Sequence, residues 1–307
     1  MKFPLDKEFA FTIIDDTDAA TVQNVKPIYD FLHKLNIKTT KTVWIYPPRD
    51  KFRGESLQDS NYLKFVKELD KRGFEIQLHN VGSGSFDRDD ILKGLEIFKD
   101  KLGRYPSMQI NHAKNPDNLY WGNKRFSIFL NFIIKLAKRK KREFYGDDIH
   151  SKYFWGDFAK KHIKYIRNRK FEDINTLKKD PKMPIREKNK KYANYFFSST
   201  DGHNITIFNK TVTKESIDRL KKEKGICIIY THFASGFLEK DGTINKEFQE
   251  NMEYLSKQNG WYVPAGELLD YLLSKKEKDS YPTQWYLLKL DLQWIIDRAM
   301  KKIKFNK

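Results

Sequence analysis

The sequence predicts an α/β protein whose parallel strands close into a distorted (β/α) barrel, followed by a C-terminal helical extension. Short apolar runs rich in β-branched residues alternate with segments of helical periodicity, and glycines follow several of the helical segments. Strands that alternate with helices in this way pair in parallel through right-handed crossovers. Polar residues directly follow the strands, as at the functional rim of such barrels. We expect the barrel to span residues 1–275 and a basic amphipathic helix to span residues 276–307, packing on the barrel.

The first predicted strand ends in three carboxylates. Residues 11–14 form a short apolar run, which favours a buried strand over an amphipathic helix. Asp15, Asp16 and Asp18 follow within four positions, and Thr21 is the expected N-cap of the first helix. Burying like charges this close without a cation would cost several kcal/mol. The turn therefore indicates metal binding or acid/base chemistry, with a solvated acidic loop as the alternative.

Further strand–helix units follow in the N-terminal half. We predict strands at residues 42–46, 74–78 and 108–110, and helices at residues 61–72 and 88–102. His79 directly follows the second of these strands, and Asn111 and His112 follow the third. These units repeat the arrangement of the first strand, in which a polar side chain lies at the carboxyl end.

The middle of the chain is less regular. A helix predicted at residues 124–142 ends in the basic run 138–142, which we interpret as a solvated helix terminus. Residues 143–190 contain short aromatic segments, and the Lys- and Pro-rich residues 178–191 are predicted to form a long surface loop. No strand is assigned in this region.

The strand–helix pattern returns in the C-terminal half. We predict strands at residues 195–198, 226–232 and 261–263, and helices at residues 213–224, 245–258 and 264–275. The apolar run that begins at Ile226 ends in His232. The tail at residues 285–304 is basic and amphipathic, so it packs on the barrel or lies on an anionic membrane surface.

The composition favours an anionic partner. The 59 Lys and Arg residues exceed the 41 Asp and Glu residues, which gives a formal net charge of +18. Basic residues are not interleaved with aromatic ones in a nucleic-acid-binding module, so we expect no nucleic-acid partner. The single cysteine, Cys227, excludes an internal disulfide. We find no signal peptide and no stretch near the ~18 apolar residues of a spanning helix, and therefore expect a cytoplasmic protein.

Four predicted strand ends carry groups suited to a metal centre. They are Asp15-Asp16, His79, Asn111-His112 and His232. Because the carboxyl ends of parallel barrel strands meet at one rim, we expect these side chains to come together. One carboxylate with two or three imidazoles suits zinc or a similar divalent ion, with a water in the vacant position.

The first and last of these strand ends resemble motifs of the NodB-type polysaccharide deacetylases. The family's first motif is a strand that ends in paired aspartates, matched here by Asp15 and Asp16. Its last motif is an apolar strand that ends in a histidine, matched by His232. The resemblance implies that Asp15 is the general base, that Asp16 binds the metal, and that His232 is the general acid.

The family's second motif holds two metal-binding histidines. His79 matches the first, and Ser83 stands where the second would be. We predict His112 as the substitute ligand, with a water held by Ser83 as the alternative third ligand. A loop histidine that only forms hydrogen bonds is the alternative interpretation of His112.

Several segments are also similar to the WbmS-like branch of these deacetylases, which is associated with surface-polysaccharide gene clusters. They are Asp15–Asp18, Tyr120–Gly122, Tyr153–Asp157 and Tyr230–Phe233. The resemblance implies one divalent ion, with zinc expected, and removal of an N-acetyl group from a sugar in O-antigen or capsule biosynthesis. That sugar could be nucleotide- or lipid-linked, and Asp157 or Asp201 would be the carboxylate partner of His232. The expected substrate-binding residues are Asp18, Asn80, Asn111, Tyr120, Trp121, Trp155, Asp157 and Phe233.

Two other functions remain open from the sequence. One is a glycosidase that uses two carboxylates, although a catalytic pair usually comes from opposite walls of a cleft and not from one turn. The other is a catalytically silent protein that binds carbohydrate or lipid phosphate on the same fold. The absence of the second motif histidine favours this silent protein.

Overall fold

Seven parallel strands close into a barrel, and an eighth strand joins it. The strands are β1 (Phe9–Asp15), β2 (Thr40–Val43), β3 (Glu75–Leu78), β4 (Met108–Gln109), β5 (Tyr165–Phe171), β6 (Tyr195–Asp201), β7 (Ile226–Thr231) and β8 (Gly260–Trp261). The first of them is buried along its whole length. The computed structural model describes residues 2–137, 143–277 and 281–305, without the side chains of residues 135, 137 and 301–305. Within it the strand order is β2-β3-β4-β5-β6-β7-β1, and β1 pairs with β2 to complete the ring. An eighth strand, β8, pairs with the start of β1 at Phe9 and Ala10. The prediction of a parallel (β/α) barrel is confirmed.

The elements alternate along most of the chain. Helices follow most of the strands. The helices are α1 (Val22–Lys34), α2 (Ser60–Lys71), α3 (Arg88–Leu102), α4 (Ile128–Ala137), α5 (Gly156–His162), α6 (Thr176–Lys179), α7 (Ile205–Thr211), α8 (Lys214–Lys222), α9 (Lys246–Ser256), α10 (Ala265–Ser274) and α11 (Gln284–Phe305). Short 3₁₀ turns span Pro4–Asp6 and Gly122–Arg125.

Local sequence signals fix the helix that follows the acidic turn. The Thr21 side chain accepts a hydrogen bond from the amide of Asn24, and the Asn24 side chain accepts one from the amide of Thr21. This capping box starts α1 directly after the turn and satisfies two amides that helix geometry leaves unpaired. Val25, Ile28 and Leu32 then bury one face of α1 against the barrel. The turn after β1 is therefore short and anchored at both ends.

A buried ion pair fixes the seam where β1 meets β2. Lys41 Nζ lies 2.9 Å from Asp15 Oδ2, and both side chains are fully buried. The hydroxyl of Tyr29 donates to the same carboxylate oxygen at 2.9 Å, and the amide of Phe233 donates to Asp15 Oδ1 at 2.8 Å. Burial disfavours the charged form of Lys41, but the Asp15 carboxylate outweighs it and raises the pKa of Lys41. One carboxylate thus connects β2, α1 and the residue after His232.

The strand β5 was not predicted, because its sequence lacks an apolar pattern. Arg167, Asn168 and Arg169 occupy its centre, and a register shift against β6 falls between Arg167 and Arg169. Such a bulge inserts one extra residue and redirects the side chains around it. Residues 167–170 all line the same cavity as a result.

The prediction of a surface loop at residues 178–191 is wrong. Glu187 and Lys190 are buried in this segment and form an ion pair at 2.8 Å. A Lys- and Pro-rich composition favours a solvated loop, but here the charges are compensated inside the protein.

The C-terminal helix α11 contacts β5 and α4. Leu287, Leu290 and Trp294 are buried in the main apolar cluster, and Asp291 forms an ion pair with Arg169 at 2.8 Å. None of the described helices combines the length and apolar content that a membrane span needs. The predicted basic run 138–142, and the side chains of residues 301–305, lie outside what the structure describes.

Replacing Lys41 by alanine should leave the Asp15 carboxylate buried without its counter-charge. We expect the free energy of unfolding to fall by about 3–5 kcal/mol, measured by chemical denaturation. The control is Lys26→Ala, which removes a partly exposed pair with Asp30 and should cost less than about 1 kcal/mol. Equally small losses in both variants would contradict the role given to the buried pair.

Candidate metal centre

Asp18 lies among three histidines that reach it from different strand ends. Its Oδ1 atom is 3.1 Å from His112 Nε2 and 3.6 Å from His79 Nε2, and its Oδ2 atom is 3.0 Å from His232 Nε2. His79 follows β3, His112 follows β4 and His232 follows β7. The convergence of parallel strand ends at one rim therefore brings these side chains together, as the barrel geometry requires.

The second ring nitrogen of each histidine contacts an oxygen. His79 Nδ1 lies 3.1 Å from the carbonyl of Ile110, and His112 Nδ1 lies 2.9 Å from Asn115 Oδ1. His232 Nδ1 lies 2.6 Å from the carbonyl of His203. Since these oxygens accept hydrogen bonds, each Nδ1 is the protonated nitrogen, and in the neutral ring Nε2 then carries a lone pair. Histidines that bind metals are commonly held in this way.

Three buried atoms face one another without a hydrogen-bond partner among the described residues. They are Asp18 Oδ1, His79 Nε2 and His112 Nε2. These residues form a group whose ligand atoms all lie within 4.8 Å of one another. Ligands of a tetrahedral zinc at ~2.1 Å would be separated by roughly 3.4 Å, which is close to the distances from Asp18 to the two histidines. The residues present therefore fit a bound divalent cation.

The charges around Asp18 favour its ionised form. Burial would raise its pKa, but the nearby imidazoles of His112, His232 and His79 outweigh burial and hold the pKa of Asp18 well below its usual range. Burial likewise opposes protonation of His232, but Asp18 and Asp16 raise the pKa of His232 to about 9. The centre thus combines one carboxylate anion with three imidazoles.

Asp16 lies beside the three-histidine cluster and pairs with an arginine. Arg167 of β5 approaches it with two nitrogens, at 2.9 and 2.5 Å from Asp16 Oδ1 and Oδ2. Burial would raise the pKa of Asp16, but the Arg167 charge outweighs it and lowers the pKa, with smaller contributions from His79 and His232. Asp16 is therefore an oriented, ionised carboxylate. The group that could hold a metal contains Asp18 and not Asp16, which the sequence predicted as the ligand.

Asp15, the predicted base, points into the packed seam of the barrel. Its carboxylate is fully buried and contacts Lys41, Tyr29 and the amide of Phe233. It is absent from the lining of the cavity described below, whereas Asp16 and Asp18 both line it. The three carboxylates of one turn thus have three different environments.

Polar side chains contact the backbone and the Nδ1 atom of His112. Asn80 Oδ1 accepts hydrogen bonds from the amide of His112 at 2.7 Å and from Gln109 at 3.1 Å, and Asn80 Nδ2 donates to Asp117. The side chain of Asn115 donates to the carbonyl of Gly82 at 2.7 Å, which orients its oxygen towards His112. Burial raises the pKa of Asp117 to about 7. Asn80, predicted to bind substrate, is therefore one of the groups that position His112.

Ser83, which stands at the place of the missing histidine, is buried. Its hydroxyl donates to Asp50 Oδ1 at 2.9 Å. Asp50 also contributes to raising the pKa of His112. Ser83 therefore has a carboxylate partner of its own.

A cavity of ≈ 270 Å³ opens onto the centre. Asp16, Asp18, His79, Asn111 and His232 line it. The predicted residue Trp121 also lies in its wall. Acid/base groups, a possible metal site and an aromatic side chain thus share one cavity.

The other predicted substrate-binding residues lie outside the lining of this cavity. Trp155 is buried and donates to the carbonyl of Asp117 at 2.7 Å, and Tyr120 is buried and accepts a hydrogen bond from the amide of Tyr192. Phe233 packs in the core.

The carboxylates suggested as partners of His232 contact other residues. Asp157 forms an exposed pair with Arg88 at 2.7 Å, and Asp201 contacts His203 and Lys170. His232 instead contacts Asp18.

Sequence reasoning missed the basic residues of the cavity. Arg125, Arg167, Arg169 and Lys170 line it, together with Arg298 from α11. Four consecutive polar residues at 167–170 gave no apolar strand signal, and a paired arginine looks in sequence like any other charged residue. The alternation of Arg167 and Arg169 is the one signal that could have indicated a strand with polar residues on one face.

Neither a protein-family model nor a curated protein matches the sequence. Solved structures do match. One is a protein from Mycobacterium smegmatis assigned as a polysaccharide deacetylase, with 11% identity over 92% of this chain and 96% of the other, at a TM-score of 0.54. A probable polysaccharide deacetylase from Pseudomonas aeruginosa PAO1 matches with 8% identity over 90% and 94%, at a TM-score of 0.53.

The PuuE allantoinase also matches, with 10% identity over 90% of this chain and 94% of the other, at a TM-score of 0.56. Similarity at this level concerns the fold, and one fold hosts several activities. Across nearly its whole length, the chain has the fold of the NodB-type polysaccharide deacetylases.

Proposed function

We propose that the protein is a metal-dependent hydrolase that removes an N-acetyl group from a sugar. One observation carries the proposal: Asp18, His79 and His112 direct unpartnered ligand atoms at one point, beside Asp16 and His232. This combination of a metal-binding group, an oriented carboxylate and a histidine suits metal-assisted hydrolysis. The fold of the polysaccharide deacetylases supports the same reaction class.

The metal would be held by Asp18, His79 and His112. Two imidazole nitrogens and one carboxylate oxygen suit zinc, and a catalytic site of this type keeps one position open. Such an ion polarises a carbonyl oxygen and lowers the pKa of a bound water towards ~7. In this assignment Asp18 takes the ligand role that the sequence gave to Asp16.

Asp16 would accept the proton of the attacking water. Arg167 holds its carboxylate through two nitrogens, which fixes its orientation and keeps it ionised. The water oxygen forms a bond to the acetamide carbon, and the bond from that carbon to the sugar nitrogen breaks. The products are acetate and a free amine. The sequence-based assignment of Asp15 as the base stays a prediction, and the variants below test it.

His232 would protonate the departing nitrogen. Its Nδ1 is bound to the carbonyl of His203, so a transferable proton is carried on Nε2. The charge of Asp16, which lies outside the proposed ligand set, is one cause of the raised pKa of His232 and favours the protonated form that a general acid needs. Asp16 and His232 directly follow β1 and β7, which are neighbouring strands.

The biological setting is proposed from the sequence resemblance. The similarity to the WbmS-like branch supports a sugar of O-antigen or capsule biosynthesis, nucleotide- or lipid-linked, that is processed in the cytoplasm. The net charge of +18 agrees with an anionic substrate or surface.

We also propose that one face of the protein contacts an anionic membrane surface. The helices α4 and α11 touch and carry large apolar side chains that are exposed. On α4 these are Ile128, Phe129, Phe132, Ile133 and Leu136, and on α11 they are Trp285, Leu292, Ile295, Ile296 and Met300. Exposed apolar side chains on a strongly basic protein suit the surface of an anionic bilayer.

Replacing Asp18 by asparagine should empty the metal site. Zinc at one hundred times its Kd should stabilise the unmodified protein by about 2.7 kcal/mol, and Asp18→Asn should lose this gain. Melting curves with added zinc and metal analysis measure it, with the exposed His33→Ala as control. Loss of metal in Asp16→Asn and retention in Asp18→Asn would instead support the sequence-based ligand set.

Replacing Asp16 by asparagine, or His232 by alanine, should reduce turnover on N-acetylated sugars by on the order of a hundredfold or more. The metal content should remain, because neither residue belongs to the proposed ligand set. Acetate release measures turnover. If Asp15→Asn abolishes turnover without loss of stability, and Asp16→Asn keeps full turnover, Asp15 is favoured as the base. If free, nucleotide-linked and lipid-linked sugars bind without releasing acetate, the protein is a silent binding protein.

Replacing Phe129, Phe132 and Trp285 by serine should abolish binding to vesicles that contain phosphatidylglycerol. We expect the unmodified protein to co-sediment with these vesicles and to be released by high salt, because part of the attraction is electrostatic. The exposed Leu5→Ser is the control, since it removes an apolar side chain elsewhere. No binding by the unmodified protein, or self-association through this face, would overturn the membrane contact.

A further inference from the structure

Four arginines line the cavity, and two of them have a carboxylate partner. Arg167 is paired with Asp16, and Arg169 is paired with Asp291 at 2.8 Å. Arg125 and Arg298 also line the cavity, but neither forms an ion pair with any described residue. The cavity therefore has positive charge in excess of the carboxylates that contact it.

The backbone of Arg125 is held in a fixed position. Its carbonyl accepts hydrogen bonds from Asn168 at 3.3 Å, Arg169 at 3.0 Å and Lys190 at 3.2 Å. Arg169 and Lys190 are themselves buried in ion pairs with Asp291 and Glu187. These three hydrogen bonds, two of them from cationic side chains, fix the backbone from which the Arg125 side chain extends.

Aromatic rings hold the guanidinium of Arg125. It lies 4.9 Å from the ring centre of Trp121 and 4.6 Å from that of Trp294. The guanidinium of Arg298 lies 4.7 Å from the same Trp294 ring. Stacked guanidiniums retain their N–H donors at the edge of the plane, where they can bind an oxyanion.

The surroundings of Arg125 do not compensate its charge. Its Nε atom is buried without a hydrogen-bond partner among the described residues. Burial, together with the nearby charges of Arg169 and Arg298, lowers the pKa of Arg125 to about 9. Asp291 is the nearby carboxylate, but it already accepts from Arg169 and from the amide of Ser127. A bound anion that contacts both Arg125 and Arg298 would relieve this repulsion.

We propose that Arg125 and Arg298 bind an anionic group of the substrate, so that the acetylated sugar carries a phosphate or a carboxylate. The inference rests on the proposed deacetylase function and adds the substrate class to it. Guanidiniums bind both oxyanions through paired hydrogen bonds, which are stronger than neutral ones. A cavity of ≈ 270 Å³ is small for a ligand site, so it suits one sugar with its charged group.

Binding measurements that do not depend on turnover test this inference. We would titrate the protein with N-acetylglucosamine, its 1-phosphate and a 2-acetamido uronic acid, at low and high salt. We expect at least one of the anionic sugars to bind about tenfold or more tightly than the neutral sugar, with a preference that weakens as salt rises. Preference for the phosphate or for the uronate identifies the source of the charge. Equal affinity for all three sugars would overturn the inference.

Arginine-to-glutamine variants locate the site. Arg125→Gln and Arg298→Gln should each remove most of the preference for the anionic sugar over the neutral one. Arg219→Gln, which removes the same charge from the exposed surface of α8, should retain the preference. Arg298 is exposed, so its variant keeps the test valid if Arg125→Gln fails to fold. A preference that survives in Arg298→Gln, or that Arg219→Gln weakens equally, contradicts the assigned site.

The outcome separates this inference from the proposed function. Acetate release from neutral sugars without a preference for charge would leave the function standing and overturn the anion site. A preference for anionic sugars without acetate release would keep the anion site and overturn the function.

Discussion

The buried contact between Asp15 and Lys41 is the constraint on which the functional rim depends. It lies at the seam where β1 meets β2 and closes the barrel. The same carboxylate binds the amide of Phe233, the residue next to His232. Because Asp15 faces the packed interior, the chain beyond it can turn Asp16 and Asp18 towards the cavity. The Asp15 carboxylate thus fixes the turn after β1 relative to the segment that carries His232.

The turn after β1 places three neighbouring carboxylates in different environments. Lys41 compensates the charge of Asp15, Arg167 compensates that of Asp16, and three histidines surround Asp18. Each arrangement stabilises an anion, but only the last leaves ligand atoms without partners. Since the three residues have the same chemistry, their roles follow from the strand or loop that supplies the partner.

The sequence was sufficient for the barrel, and for the positions of His79 and His232 at strand ends. Those features follow from apolar periodicity and from the geometry of parallel strands. It was not sufficient to choose among Asp15, Asp16 and Asp18, because that choice depends on partners distant in the chain. The strand β5 was missed for a related reason. Its arginines are buried only because Asp16 and Asp291 compensate them, and no local pattern carries that information.

The bulge in β5 sets a limit on how this chain can vary in length. Arg167 faces Phe197 of β6 and Arg169 faces Ser198, so Asn168 is the inserted residue. Deleting Asn168 would make the two arginines consecutive in a regular strand, where neighbouring side chains point to opposite faces. One arginine would then leave the cavity, and either Asp16 or Asp291 would lose its counter-charge. The spacing of these arginines is therefore as much a requirement of the site as their identity.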